Sequence, residues 1–287
     1  MTSFGTDEIS TLMIVKKPCS NPLEYYKPRS TYNYTDRRKK MITKTAYFRF
    51  YAELNDFLPK EQRYVLFPLT FKNRQTVKHL IESLGVPHPE VDLILVHSES
   101  INFSYIVQDK DIISVYPVFE SFDIAAENKL RPEPLREPKF VLDGHLGRLT
   151  AYLRLLGIDC LYRNDYADEE ITEISHHENR ICLTRDRGLL KRNLVTRGYC
   201  LRSLDSWQQV KEVLRRFDLI RKVKPFQRCV HCNGLLEEVG KKEIVDQLLP
   251  KTRRYYHEFR RCSECGQVYW KGSHFERIVK LIEGLLE

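Results

Sequence analysis

Four cysteines stand in two C-x-x-C pairs, Cys229/Cys232 and Cys262/Cys265, and a glycine follows each pair closely, as Cys232-Asn233-Gly234 and Cys265-Gly266. Two such pairs complete the tetrahedral sulfur shell, with thiolates about 2.3 Å from the ion, that a structural Zn²⁺ takes. The spacing therefore predicts a zinc ribbon, with the glycines supplying a left-handed backbone at each knuckle. The chain opens Met-Thr-Ser-Phe-Gly-Thr-Asp-Glu with no apolar run, which predicts a cytoplasmic, reducing setting and thiolates on metal rather than in disulfides. Cys19, Cys160, Cys182 and Cys200 lack ligand spacing, and the last three lie in apolar runs where a thiol serves as a small buried hydrophobe.

A second set of residues is acidic. Asp143 directly follows the apolar run Phe140-Val141-Leu142, Asp186 lies just past Ile181-Cys182-Leu183-Thr184, and Asp168 sits in Asp165-Tyr166-Ala167-Asp168-Glu169-Glu170. Converging carboxylates repel one another until a hard cation such as Mg²⁺ or Mn²⁺ neutralises them, and that cation can assist hydrolysis of a phosphodiester. Arg185 and Arg187 flank Asp186 and could hold phosphates beside such an ion. Each acid also has an ordinary reading: Asp168 and Asp186 as helix N-caps, and Asp143 as turn chemistry in Asp-Gly-His-Leu-Gly.

These acids need a scaffold that gathers them. Strand-like runs at 140–142, 160–162, 180–184 and 199–201 alternate with helical periods over 145–156, 168–177, 187–192 and 207–217, which predicts a parallel sheet with helices on both faces. Ligands of such sheets collect at the carboxyl ends of the strands, where all three aspartates fall.

Ahead of this region the order is strand (47–51), strand (64–69), helix (74–85, ending at Gly85), then strands at 93–96 and 113–117, the order of a β-grasp domain. The segment resembles a ubiquitin-like module but runs on through Glu120-Ser121-Phe122-Asp123, so terminal thiocarboxylate or conjugation chemistry is not expected of it. The predicted layout is a flexible basic leader (1–41), a β-grasp domain (42–123), a proline-bearing linker (124–138), the α/β domain (139–224) and the zinc ribbon with a closing helix (225–287). The net charge of +8 divides as +4 over 1–41, −3 over 42–137, +5 over 138–224 and +2 over 225–287, a distribution compatible with phosphate-bearing partners. No window is long and apolar enough to span a bilayer, so no membrane partner is expected.

The runs Phe140 to Leu149, Leu153 to Asp159 and Arg180 to Leu190, with the cysteine pairs and Tyr269-Trp270-Lys271-Gly272-Ser273-His274, resemble the Mut-seven C-terminal RNase family over 138–287. That family is a branch of the PIN-type nucleases with an appended zinc ribbon. The resemblance implies a PIN-like fold and metal-dependent cleavage of RNA, with Asp143, Asp168 and Asp186 as catalytic metal ligands and a fourth acid open among Asp165, Glu169 and Glu170. Arg148, Arg185 and Arg187 would orient phosphates, and Trp270 and Lys271 would offer RNA a stacking and charged surface, though Trp270 could equally pack against the closing helix. The other function expected of this pattern is a non-catalytic RNA-binding adaptor whose ubiquitin-like part recruits a protein.

Overall fold

The computed structural model describes residues 43–117, 130, 137–272, 280, 283 and 284. The basic leader, most of the linker and most of the closing helix lie outside the described residues.

Strand β1 (Thr43–Phe50) alternates buried Ala46, Phe48 and Phe50 with exposed Tyr47 and Arg49, the period expected of a strand covered on one face. It pairs antiparallel with β2 (Phe67–Lys72) and parallel with β5 (Ile112–Pro117), while β3 (Val91–Val96) and β4 (Glu99–Ile101) complete a five-stranded mixed sheet in the order β2-β1-β5-β3-β4. Helix α1 (Val77–Ser83) buries Val77, Leu80 and Ile81 against it. That helix begins later than its apolar period predicts because Thr76 caps it, its hydroxyl accepting the His79 amide at 3.2 Å. Strand β2 also begins later than expected. Residues 52–57 and 60–62 form 3₁₀ turns, and Tyr64 takes φ 60°, so the chain stays folded on itself until Phe67.

The second sheet is fully parallel, in the order β7-β6-β8-β9, formed by β6 (Phe140–Leu142), β7 (Cys160–Leu161), β8 (Ile181–Thr184) and β9 (Gly198–Cys200). Helices α2 (Gly147–Leu155), α3 (Asp168–His177), α4 (Arg187–Leu190) and α5 (Ser206–Arg216) connect and follow the strands. All four residues of β8 are buried, as the apolar composition of a sheet covered on both faces requires. Cys160, Cys182 and Cys200 are buried as their runs predicted.

The two faces are covered differently. On one, Leu149 and Leu153 of α2 and Val210, Val213 and Leu214 of α5 pack on Phe140, Leu142 and Leu183. On the other, Val141 and Cys182 join Ile171 of α3, Leu189 and Leu190 of α4, and the β-grasp residues Phe57, Val77, Leu80 and Ile81 in one continuous core. The mixed sheet and the parallel sheet thus share apolar packing. A third sheet, β10 (Leu236–Val239), β11 (Phe259–Cys262) and β12 (Val268–Trp270), carries the cysteines with a small core of its own around Phe259 and Val268.

Because one core serves both sheets, removing part of it should unfold both. Ile171→Ala should cost about 2–5 kcal/mol, and calorimetry should show both sheets melting in a single, lowered transition. A variant in which the parallel sheet melts while the mixed sheet stays folded would contradict the shared core.

Candidate functional site

Strand order alone marks the edge at which a sheet of this kind takes a ligand. From β6 the chain passes to β7 on one side and then, through α3, to β8 on the other, so the direction of winding reverses between β6 and β8. In open α/β sheets ligands bind outside the carboxyl ends of the strands at this reversal. Asp143 follows β6 and Asp186 follows β8, and the pairing of Leu142 with Leu183 sets them at the same edge.

Thr184 joins them. Its hydroxyl donates to Asp143 Oδ2 at 2.6 Å and accepts the Asp186 amide at 2.9 Å, so one buried side chain fixes both loops. Asp186 in turn accepts the Gly188 amide on Oδ1 at 2.6 Å and caps α4, which is the ordinary role its position suggested. Asp168 differs from expectation: Ala167 occupies the N-cap position, its amide donating to Glu170 Oε2 at 3.0 Å, and Asp168 is the first helical residue. Its carboxylate faces Arg192, which donates to Asp168 Oδ2 at 3.0 Å and to Glu169 Oε1 at 2.7 Å. Asp143 follows β6 and Asp168 opens α3, so both stand toward the carboxyl ends of the strands; burial pushes the Cys182 thiol upward and the charges of both carboxylates add to that.

The three aspartates therefore share one edge without forming a closed cluster. Among the described residues, only the four ribbon cysteines bring three or more ligand atoms within 4.8 Å of one another. Of the neighbouring acids, Asp165 is paired with Arg163 at 2.9 Å and Glu169 with Arg192. Gly144 is required at this edge because a Cβ would lie 2.9 Å from the Asn164 carbonyl oxygen, and a Cβ at Gly147 would stand 2.7 Å from Tyr162 Oη and displace that ring. Thr184 was visible as the last residue of its strand run, but its bridging role depends on a contact across 41 positions. No local signal marks Arg192.

Arg148 and Arg185 are exposed at the same end. Arg187 lies with its guanidinium carbon 4.9 Å from the centre of the Phe57 ring of the β-grasp part. Trp270, 39% exposed, borders a cleft in the ribbon that also includes His257, Phe226 and Arg260, and Lys271 pairs there with Glu258 at 2.6 Å.

The cysteine site fits Zn²⁺. Cys229 and Cys265 sulfurs lie 3.6 Å apart and those of Cys232 and Cys262 3.3 Å, near the about 3.8 Å of sulfurs sharing a tetrahedral ion and far beyond the about 2.05 Å of a disulfide. Tyr269 Oη approaches Cys229 Sγ at 3.1 Å, a polar contact to the sulfur shell. The knuckles differ from each other. Gly266 has the expected φ of +73°, but at the first knuckle Asn233 takes φ 74°, and Gly234 is required because a Cβ would stand 2.8 Å from Cys262 Sγ.

Asn233 also ties the ribbon to the parallel sheet. Its side chain accepts the Cys160 amide at 3.0 Å and donates to Asp159 at 2.9 Å, pinning the knuckle to edge strand β7. Arg154, buried in α2, donates to the carbonyls of Val230 and His231 in the same knuckle. Burial raises the Asp159 carboxyl, but hydrogen bonds from Arg180 and Asn233 and the charges of Arg180 and Arg228 outweigh it and leave the group below the usual carboxylate range.

Comparison with known proteins decides the family. Residues 138–282 match the family described as the Mut7-C RNAse domain, and residues 43–123 match the one described as Mut7-C ubiquitin. The chain belongs to the Mut7-C RNAse domain family. A 106-residue stretch is 35% identical to the exonuclease mut-7 homolog of Homo sapiens; it is 35% of this chain but only 12% of the human protein. No solved structure matches. The Mut7-C assignment agrees with the parallel sheet, the four-cysteine cluster and the ubiquitin-like mixed sheet. Among the described residues no helix is long and apolar enough to cross a membrane.

Two measurements test the ribbon. Elemental analysis should find one zinc per chain, and Cys262→Ser should lose it together with the near-ultraviolet signal of Tyr269; full metal content in that variant would contradict a four-sulfur site. Asp159→Asn should cost about 3 kcal/mol near neutrality. Because the folded carboxyl titrates below its unfolded value of about 3.9, that contribution is complete above it and fades as the pH falls through the folded value. The gap between wild type and variant should therefore close in acid, and a gap independent of pH would refute the assignment.

Proposed function

We propose that this chain is a metal-dependent ribonuclease with a PIN-like active edge, hydrolysing RNA phosphodiesters at Asp143, Asp168 and Asp186. The observation that carries the reading is the pairing of Asp143 and Asp186 across the winding reversal through Thr184. Those aspartates would hold Mg²⁺ or Mn²⁺, and the bound cation would acidify the attacking water and offset charge on the phosphodiester. Asp168 would have to exchange Arg192 for that ion, so Arg192 sets a threshold for metal entry. Arg185 and Arg187 extend from the Asp186 loop as cations for the flanking phosphates, with Arg148 approaching from α2. The ribbon would contribute Trp270 for stacking and Lys271 for charge.

The name of the human relative, an exonuclease, supports nuclease chemistry over the 106 shared residues. Bound RNA would account for the excess of Lys and Arg, as would a second reading, an RNA-binding adaptor without catalysis. The occupation of Asp168 by Arg192 is the observation that favours that second reading.

Purified protein should cleave single-stranded RNA in Mn²⁺ and stop in EDTA, and Asp186→Asn should reduce the rate at least about 10²-fold, the scale of losing one charge-stabilising group. Cleavage that survives both treatments would remove the nuclease assignment. RNA binding unchanged by Mn²⁺, with no product, would establish the adaptor.

A further inference from the structure

Edge strand β9 of the parallel sheet is finished by the β-grasp part. Along a strand, successive amides point to opposite sides; Leu201 donates to Thr184 O at 2.8 Å, so the amide of Cys200 faces away from the sheet. Glu90, just before β3 and wholly buried, accepts that amide on Oε1 at 2.6 Å. The same carboxylate takes Arg202 in a two-pronged pair, Nη1 to Oε1 at 3.0 Å and Nη2 to Oε2 at 2.6 Å. Arg202 and Arg187 then lie against one ring, Phe57, at 4.6 and 4.9 Å from its centre. Cys200 pairs in register with Thr184, the residue that ties Asp143 to Asp186. A buried carboxylate of the β-grasp part thus reaches the acidic edge of the parallel sheet through a single strand.

We propose that Glu90 is a positioning residue of the nuclease site: by fixing Cys200 and Arg202 it holds β9 against Thr184 and keeps Arg187, the neighbour of Asp186, stacked on Phe57. In this role the ubiquitin-like part completes the nuclease in cis rather than acting as a detachable recruiting module. The inference rests on the nuclease reading above for its catalytic consequence, but the coupling itself is a statement about the 184–188 segment.

Bulk destabilisation is controlled by Glu53, which pairs with Arg216 at 3.4 Å in another contact between the β-grasp part and the parallel-sheet part. The test compares full-length wild type, Glu90→Ala, Glu90→Gln and Glu53→Gln by amide hydrogen exchange and by single-turnover cleavage of a labelled single-stranded RNA in Mn²⁺. Glu90→Ala should speed exchange of amides 184–188 and lower the cleavage rate, each about tenfold, with little change in the RNA concentration needed for half-saturation. Glu90→Gln keeps an acceptor for the Cys200 amide and should recover most of both, while Glu53→Gln should alter neither. If Glu90→Ala does not fold, the smaller shift in Glu90→Gln carries the same comparison. Unchanged exchange at 184–188 in the Glu90 variants, or an equal change in Glu53→Gln, overturns the proposal. A wild type that cleaves nothing while exchange responds as described would remove the nuclease reading and leave the Glu90 coupling intact.

Discussion

The parallel pairing of β6 with β8 is the constraint on which the rest depends. These two strands begin opposite directions of winding, and the register Leu142 with Leu183 leaves their next polar residues, Asp143 and Thr184, in hydrogen-bonding reach. Both strands are buried on both faces, so a slip of register would break apolar packing with α2 on one side and with α3, α4 and the β-grasp part on the other. The acidic edge inherits its geometry from that packing. The loop holding Asp143 is closed by glycines that allow Tyr162 and Asn164 to approach, and the loop holding Asp186 is closed by its own cap to Gly188.

Both accessory parts are attached to the same sheet by buried polar contacts, one at each edge. At β7, Asn233, Arg154 and Asp159 fasten the first zinc knuckle; at β9, Glu90 fastens the β-grasp part. Unpaired strand edges are sites of unwanted association, and here each is covered by a neighbouring part of the chain. Arg180 extends the first set inward, donating to Asp159 and to the carbonyl of Phe140. Among the described residues, the parallel sheet is thus flanked by the ribbon at β7 and by the β-grasp part at β9.

Legibility in the sequence followed the range of the interaction. The cysteine pairs were legible because zinc ligation is encoded in local spacing, and the central strand and α3 because a sheet buried on both faces imposes continuous apolar runs and a helix imposes its period. The knuckle backbone departs from expectation at its first turn, since asparagine also tolerates φ > 0 and Gly234 answers to a sulfur contact instead. Asp168 looks like a cap because acids favour helix starts, which holds equally for a first-turn residue beside Ala167. The shared core, Arg192 and the Glu90–Arg202 pair have no local signature. Glu90 and Arg202 are 112 positions apart, and an apolar face on a strand does not announce which element will cover it.

The proposed nuclease function requires a hard cation at the edge where Asp143, Thr184 and Asp186 meet, with Asp168 drawn in from Arg192. A crystal soaked in Mn²⁺ and measured for anomalous scattering tests it most directly. A peak ligated by Asp143 and Asp186 is expected, with the Asp168 carboxylate turned from Arg192 toward it. Saturating Mn²⁺ that leaves no peak there, with Asp168 still paired to Arg192, would contradict it.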